Sequence, residues 1–217
     1  MATVNKGTTN IAWKSALSQV FQKGKDFTDT DGRVCRELLN FLIIIKNPQK
    51  DIDKPIQIMR GFEKWIYPSK EELTAIILNK NYSLGYDYSY GPRIFGNEGK
   101  VDQIADFVVP VLKNNKDSRK AGISLYNKEE DSNIKNMNIP SLIYLYFKIR
   151  NNKLRCTSIV RSCDLFVGWP ANIYQVFCLQ EYISEKLGIK PGSLSTFCCS
   201  AHIFKEHFEH ISDIINK

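Results

Sequence analysis

Apolar positions recur at helical spacing over residues 10–24, NIAWKSALSQVFQKG. There Ile11, Ala12, Ala16, Leu17, Val20 and Phe21 share one face and Gly24 closes the pattern. DFTDTDGR, dense in Asp, predicts a turn-rich loop. CRELLNFLIIIKNP opens with helix formers and passes into a β-branched run. A helical start and a buried strand over Phe41–Ile45 are expected, ending at Asn47-Pro48. In SKEELTAIIL, Ser69 is followed three residues later by Glu72, a capping signature that predicts a helix to Leu78. NYSLGYDYSYGPRIFGNEG, rich in Tyr and Gly, predicts an irregular loop able to face a ligand. VDQIADFVVPVLKNN returns to helical spacing, limited or kinked at Pro110.

The second half of the chain changes period. AGISLYN, Ile143–Ile149 and Leu154–Val160 predict strands, and the turn RNN joins the last two as a hairpin. Ala171–Leu187 predicts the longest helix, apolar almost all round at its start and stopped at Gly188, which suits a buried central element. AHIF predicts a short strand, and FKEHFEHISDIINK a closing helix. No repeat, linker or low-complexity tract divides the chain, so the expected class is a single mixed α+β domain.

Composition narrows the partners more than the fold. The 217 residues suffice for one sizeable core, and 43% apolar with 24% charged residues is ordinary globular composition. The net charge of +7 is scattered, which favours a local anion pocket over a nucleic-acid stripe and leaves RNA binding as the weaker alternative. The six cysteines show no CxxC and the three histidines no HExxH, so no zinc site is expected. MATVNKGTTN has no apolar signal region, and no apolar run approaches the roughly 18 residues of a membrane span. Free thiols in a reducing cytoplasm are the expectation.

Candidate chemistry sits in three places. Asp117-Ser118-Arg119-Lys120 lies at a helix-to-strand boundary and Arg161-Ser162 at a strand end; an Arg fork, a Lys point charge and a hydroxyl could clamp a phosphate. From spacing alone, solvated loop charge is the commoner explanation, and GxxxxGK[ST] is absent. Asn172 reads either as an N-cap or as an amide that addresses a pyrimidine edge. His202, among apolar neighbours, reads first as a core histidine.

Taken as an ordered set, these residues say more. RSCDLFVGWPAN with AHIF after it resembles the thymidylate synthase superfamily, whose signature runs R-S-x-D-x-x-x-G-x-P-x-N and then a-H-i-Y. RELLNFL resembles the family's helix carrying a catalytic glutamate, at Glu37. YSYGPR resembles its tyrosine loop, at Tyr90 and Gly91. VDQI and DSRK resemble its D-Q-I and D-S-R-R, with Lys120 for the second arginine. The resemblance spans roughly residues 10–210 and is closest to the compact branch of the superfamily.

The resemblance implies a thymidylate synthase-like mixed β-sheet flanked by helices, and a homodimer with the sheets packed back to back. It implies a pyrimidine nucleoside 5′-monophosphate as ligand, namely dUMP, and 5,10-methylenetetrahydrofolate as one-carbon donor if the chain is active. Arg161 and Ser162 would bind the phosphate within one subunit, while Arg119 and Lys120 reach the partner's site; Arg33 joins the nucleotide-binding set. Asn172 would read the base and favour uracil over cytosine. His202 would hold the sugar 3′-hydroxyl, and Asp164 and Gly168 would line the folate and base side.

The family's reaction begins with a cysteine thiolate adding to C6, after which C5 accepts a methyl or hydroxymethyl group. The family's P-C motif falls here on Pro140-Ser141, so Ser141 occupies the nucleophile position beside Glu37, Tyr90 and Asp164 in the catalytic set. A serine hydroxyl is far less acidic than a thiol and needs an adjacent base, and neither Leu142 nor Ile143 supplies one. Three explanations stand open: a homologue that binds without turnover, an enzyme served by Cys198 or Cys199, or an engineered Cys→Ser change. Phe204 also stands where the family has a tyrosine, and the long C-terminal segment of the larger synthases is not expected after His210.

Overall fold

The computed structural model describes residues 2–64, 66–81, 90–96, 101–136 and 138–216. Strand β1 (Thr3–Lys6) leads into helix α1 (Thr9–Lys23), then β2 (Lys25–Thr28) and the long β3 (Val34–Ile45). Three helices follow, α2 (Lys54–Arg60), α3 (Lys70–Leu78) and α4 (Tyr90–Phe95). A π-helical turn, Gln103–Val108, runs into α5 (Val109–Asn114). Beyond lie β4 (Gly122–Ser124), the short α6 (Lys128–Asp131), β5 (Leu142–Arg150), β6 (Lys153–Asp164), the central α7 (Gly168–Leu187), β7 (Lys190–Phe204) and α8 (Phe208–Asn216).

One seven-stranded mixed sheet carries the fold, ordered β1-β3-β7-β6-β5-β4, with β2 on the same edge of β3 as β1. Helices α1 and α7 pack on it, and α3 packs on α7. On the helix side the strands alternate buried Phe41, Ile43 and Ile45 with Leu194, Cys198, Leu154, Cys156 and Phe147. The intervening residues, among them Leu42, Ile44, Thr157, Ile159 and Phe197, are only half-buried.

Several local expectations hold and others yield to tertiary pairing. Asn151 and Asn152 take φ of 53° and 55°, the left-handed pair that a two-residue hairpin needs, and they join β5 to β6. Ser69 and Glu72 form the full capping box, and Gly188 ends α7 at φ 65°. In α1 the buried stripe is Ala12, Trp13, Ala16, Leu17 and Val20; Ile11, expected inside, is 52% exposed. The first half of DFTDTDGR is strand β2 rather than loop.

The larger correction concerns CRELLNFL, expected to start as a helix: the whole of Val34–Ile45 is one strand. It is paired to β7 on one edge and to β2 and β1 on the other, and those ladders outweigh helix propensity. Glu37 is therefore on a strand. AHIF is the end of a strand of 15 residues.

Four strands change their alternation at one level. Asn40 has φ 54° in β3, and β5 shifts register between Leu142 and Tyr144. The buried positions in β6 pass from Val160 to Cys163, and in β7 from Cys198 to Ala201. Leu142 pairs with Val160, Val160 with Cys198 and Cys198 with Phe41, so these irregularities lie side by side across the sheet. Aligned breaks of this kind bend a sheet and re-aim the side chains beyond them.

Between α4 and β4 a second polar framework forms. Asp102 Oδ1 accepts from the amides of Ile104 and Ala105 at 2.9 and 2.8 Å. Gln103 Nε2 donates to the carbonyls of Arg93 and Ser124, each at 2.8 Å, so the D-Q-I motif is structural. Arg93 forms a double ion pair with Asp131 at 2.6 and 2.9 Å, in which the Asp131 side chain is 0% exposed. Burial pushes the Asp131 carboxyl up, but the Arg93 fork and the Asn127 amide outweigh it and hold it below the usual range. Asp131→Ala would leave the largely buried guanidinium with the Leu125 carbonyl and the exposed Glu130 carboxylate, and about 1–3 kcal/mol of stability is the expected loss in urea unfolding.

Candidate active site

Beyond the bend the strand ladders bring separate motifs into one row. Glu37 on β3 is the direct partner of His202 on β7, and His202 of Asp164 on β6. One step nearer the bend, Ser162 pairs with Ser200. The Ser200 hydroxyl donates to Glu37 Oε1, a short bond that orients the carboxylate. Ser200 was not singled out from the sequence, although its place two residues before His202 puts both on one strand face.

Asp164 ends β6 and shapes the turn into α7. Its Oδ1 accepts from the amides of Phe166 and Val167 at 2.9 and 3.2 Å, while Oδ2 makes no hydrogen bond among the described residues. Three further bonds pin that turn: Leu165 N to the His202 carbonyl at 2.9 Å, Trp13 Nε1 to the Leu165 carbonyl at 2.7 Å, and Tyr67 hydroxyl to the Val167 carbonyl at 2.7 Å. Trp13 and Tyr67 were missed in sequence because their partners are backbone atoms more than ninety residues away. Asn172 lies inside α7, whose cap position is Val167, so it is not an N-cap. Its amide makes no side-chain hydrogen bond among the described residues, which leaves it available to a ligand.

Arg161 and Ser141 come together across β5 and β6. The Arg161 amide donates to the Ser141 carbonyl at 2.9 Å, and its guanidinium donates to the Pro140 and Ile139 carbonyls at 3.1 and 2.6 Å. Arg161 Nη1 makes no hydrogen bond among the described residues and remains free for an anion. The Ser141 hydroxyl likewise has no partner among them.

Electrostatics favour a neutral imidazole at His202, which is 9% exposed. Burial depresses its pKa below the usual value, and the nearby Asp164 and Glu37 carboxylates pull against that without reversing it. A neutral imidazole offers one donor and one acceptor, the pair suited to a sugar hydroxyl. Phe204 packs edge-on against His202 at 5.2 Å and carries the Arg33 guanidinium at 3.3 Å from its centroid, with Arg33 also paired to Glu206 at 2.8 Å.

Of the two cysteines that could substitute as nucleophile, Cys198 is fully buried and Cys199 is half-buried. All six cysteines are free. Cys35, two residues from Glu37, is pushed up to about 11 by burial and by Asp29. Cys163 is raised well above its usual value by its hydrogen bond to Cys198 and by burial, and Cys198 itself is fully buried. Among the described residues no three His, Cys, Asp or Glu side chains converge to hold a metal ion.

Two sequence-singled groups stay apart from this row. Arg119 and Lys120 are exposed in the loop before β4, tethered by Lys148 to the Ser118 carbonyl at 2.9 Å and by Arg150 to Asp117 at 2.8 Å. They stand beside the middle of β5, away from its Ser141 end. Tyr90 is buried at the start of α4, and most of the Tyr-Gly loop before it, residues 82–89, is outside the described residues. Gly91 is required there because a Cβ would meet the Asn79 carbonyl oxygen at 2.2 Å.

Comparison with known proteins finds relatives along most of the chain. The family model described as thymidylate synthase matches residues 29–217. The "Putative thymidylate synthase" of Methanococcoides burtonii is 31% identical over 208 residues, covering 96% of this chain and 92% of its own. That of Methanosarcina barkeri is 31% identical, covering 98% and 94%. The thymidylate synthase of Listeria monocytogenes is 30% identical over 118 residues, 54% of this chain but 36% of its own. Among the described residues no helix is long and apolar enough to cross a membrane.

Because burial lowers the His202 pKa, the folded state disfavours its charged form. Its contribution to stability is intact above the unfolded value of about 6.5 and is lost as pH falls below it. His207, also lowered by burial, adds to the same loss. Urea midpoints at pH 7 and pH 5 are expected to differ less in His202→Gln than in the parent chain.

Proposed function

The chain belongs to the thymidylate synthase family, and we propose that it binds dUMP through Arg161, Asn172 and His202. The observation that carries this is the Arg161 tether. Its hydrogen bonds to residues 139–141 set a free guanidinium nitrogen beside the nucleophile position, next to the Glu37–His202–Asp164 row. Arg161 and Ser162 take the phosphate, Asn172 the uracil edge and neutral His202 the 3′-hydroxyl. Asn172 and Asp164 Oδ2 are unengaged polar groups at the mouth of α7, the donor and acceptor that a pyrimidine and a folate require. 5,10-Methylenetetrahydrofolate, held at Asp164, would supply the one-carbon unit for C5 methylation or hydroxymethylation.

Arg119 and Lys120 face away from their own chain's row, which supports their service to a partner's site in a homodimer. The half-buried outward face with Leu42, Ile159 and Phe197 is the surface for that joint. Phe197→Arg is expected to shift the protein to monomer in light scattering and to weaken dUMP binding with it.

Ser141 limits the chemistry. Serine adds to C6 far more slowly than a thiolate, which gives a second reading, a nucleotide-binding partner or regulatory subunit with little turnover. Calorimetry with dUMP, dCMP and UMP tests binding, with dUMP expected to bind and Arg161→Ala to lose it at least tenfold. Tritium release from C5-labelled dUMP tests turnover. Release is expected only at background in the chain itself and well above it in Ser141→Cys; rapid release from the parent would reject the assignment of Ser141.

A further inference from the structure

At the opposite end of the sheet from the catalytic row lies a second cavity of about 430 Å³, and we propose that it binds a small polyanion with a run of three phosphates, such as a nucleoside triphosphate. Arg155 on β6 is nine residues before Asp164, so the two sites are roughly 30 Å apart at about 3.3 Å per strand residue. Lys46, Arg150, Lys153 and Arg155 line the cavity together with the neutral Gln49 and Asn151, and no acidic side chain lines it. Lys46, Lys153 and Arg155 have no carboxylate within ion-pair distance among the described residues, and Arg150 gives only Nη1 to Asp117.

The backbone is shaped to make this concavity. Between β6 and β7 the two steps from Leu154 to Cys156 oppose three from Pro191 to Leu194, so β7 bulges at Gly192-Ser193, while regular alternation keeps Arg155 outward between the buried Leu154 and Cys156. Gly192 opposite is held so close that a Cβ would meet the Leu154 carbonyl at 2.9 Å and the Lys153 Cβ at 3.2 Å. A side chain there would fill the floor of the cavity.

Four cations around one hollow repel one another, and in a chain already at +7 only the Arg150–Asp117 pair among the described residues relieves that repulsion. A ligand carrying three or four negative charges relieves it, with Arg forks and Lys point charges meeting successive phosphates. The volume falls in the range of nucleotide-sized pockets, about 300–1,000 Å³. A local hollow open on one side, rather than a continuous basic stripe, favours a small ligand over an RNA chain.

The test is calorimetry on the full chain, in the oligomeric state it adopts, with ATP, inorganic triphosphate, AMP and a single-stranded oligonucleotide as probes. ATP or inorganic triphosphate is expected to bind at least tenfold more tightly than AMP, and whichever is tighter identifies the natural ligand as nucleotide or free polyphosphate. Arg155→Ala combined with Lys153→Ala should abolish that binding while leaving dUMP calorimetry unchanged. Equal affinity for AMP and triphosphate, or triphosphate binding that survives the double change, overturns the proposal. An oligonucleotide bound tenfold more tightly than ATP through the same residues would replace it with an RNA surface.

Discussion

Four adjacent strands give up their regular alternation at the same level, and the arrangement of the site follows from that shared break. Asn40 in β3, the Leu142–Tyr144 shift in β5 and the parity changes after Val160 and Cys198 lie side by side. Had one strand continued regularly, its polar residues would have faced away from those of its neighbours, because a one-residue slip reverses every side chain. Because all four change together, the ladder hydrogen bonds persist through the bend. Glu37, His202 and Asp164 remain in one row.

That row is held by atoms that do no chemistry. Trp13 and Tyr67 donate to carbonyls of the turn between β6 and α7, and Asp164 uses one oxygen to shape the same turn and keeps the other. Arg161 secures the entry to β5 with three hydrogen bonds, one from its backbone and two from its guanidinium. Arg93 and Asp131 join α4 to α6 through a buried charge pair, and Gln103 joins α4 to β4. Precise placement here comes from many modest bonds to backbone, each anchoring a side chain that has no other freedom.

Within this intact frame one position is chemically weak. The residues that would recognise a nucleotide keep unengaged polar atoms, and His202 is neutral as a hydroxyl contact requires. Ser141 lacks the acidic proton of a thiol, and burial and neighbouring groups raise the Cys35 and Cys163 thiols. Binding and bond formation are thus separable in this chain, since recognition needs only placed donors and acceptors whereas addition to C6 needs an ionisable nucleophile.

How much of this was legible differs from element to element. The hairpin at Asn151-Asn152, the capping box at Ser69, the stop at Gly188 and the stripe of α1 are set by contacts within a few residues, so their residue types reveal them. The motif order from Arg161 to His202 likewise identified the family, because those groups are chemically particular. Local patterning misread CRELLNFL as a helical start, since its strand state depends on β7, β2 and β1, which lie far away in the chain. The same holds for Ser200 on Glu37, for the tether of Arg161 to residues 139–141 and for the basic hollow around Arg155. The sequence by itself determined which chemical groups the protein has and the elements made by near neighbours. Only the tertiary structure decided which groups meet, because strand pairing and the aligned bend act between residues that local pattern cannot connect.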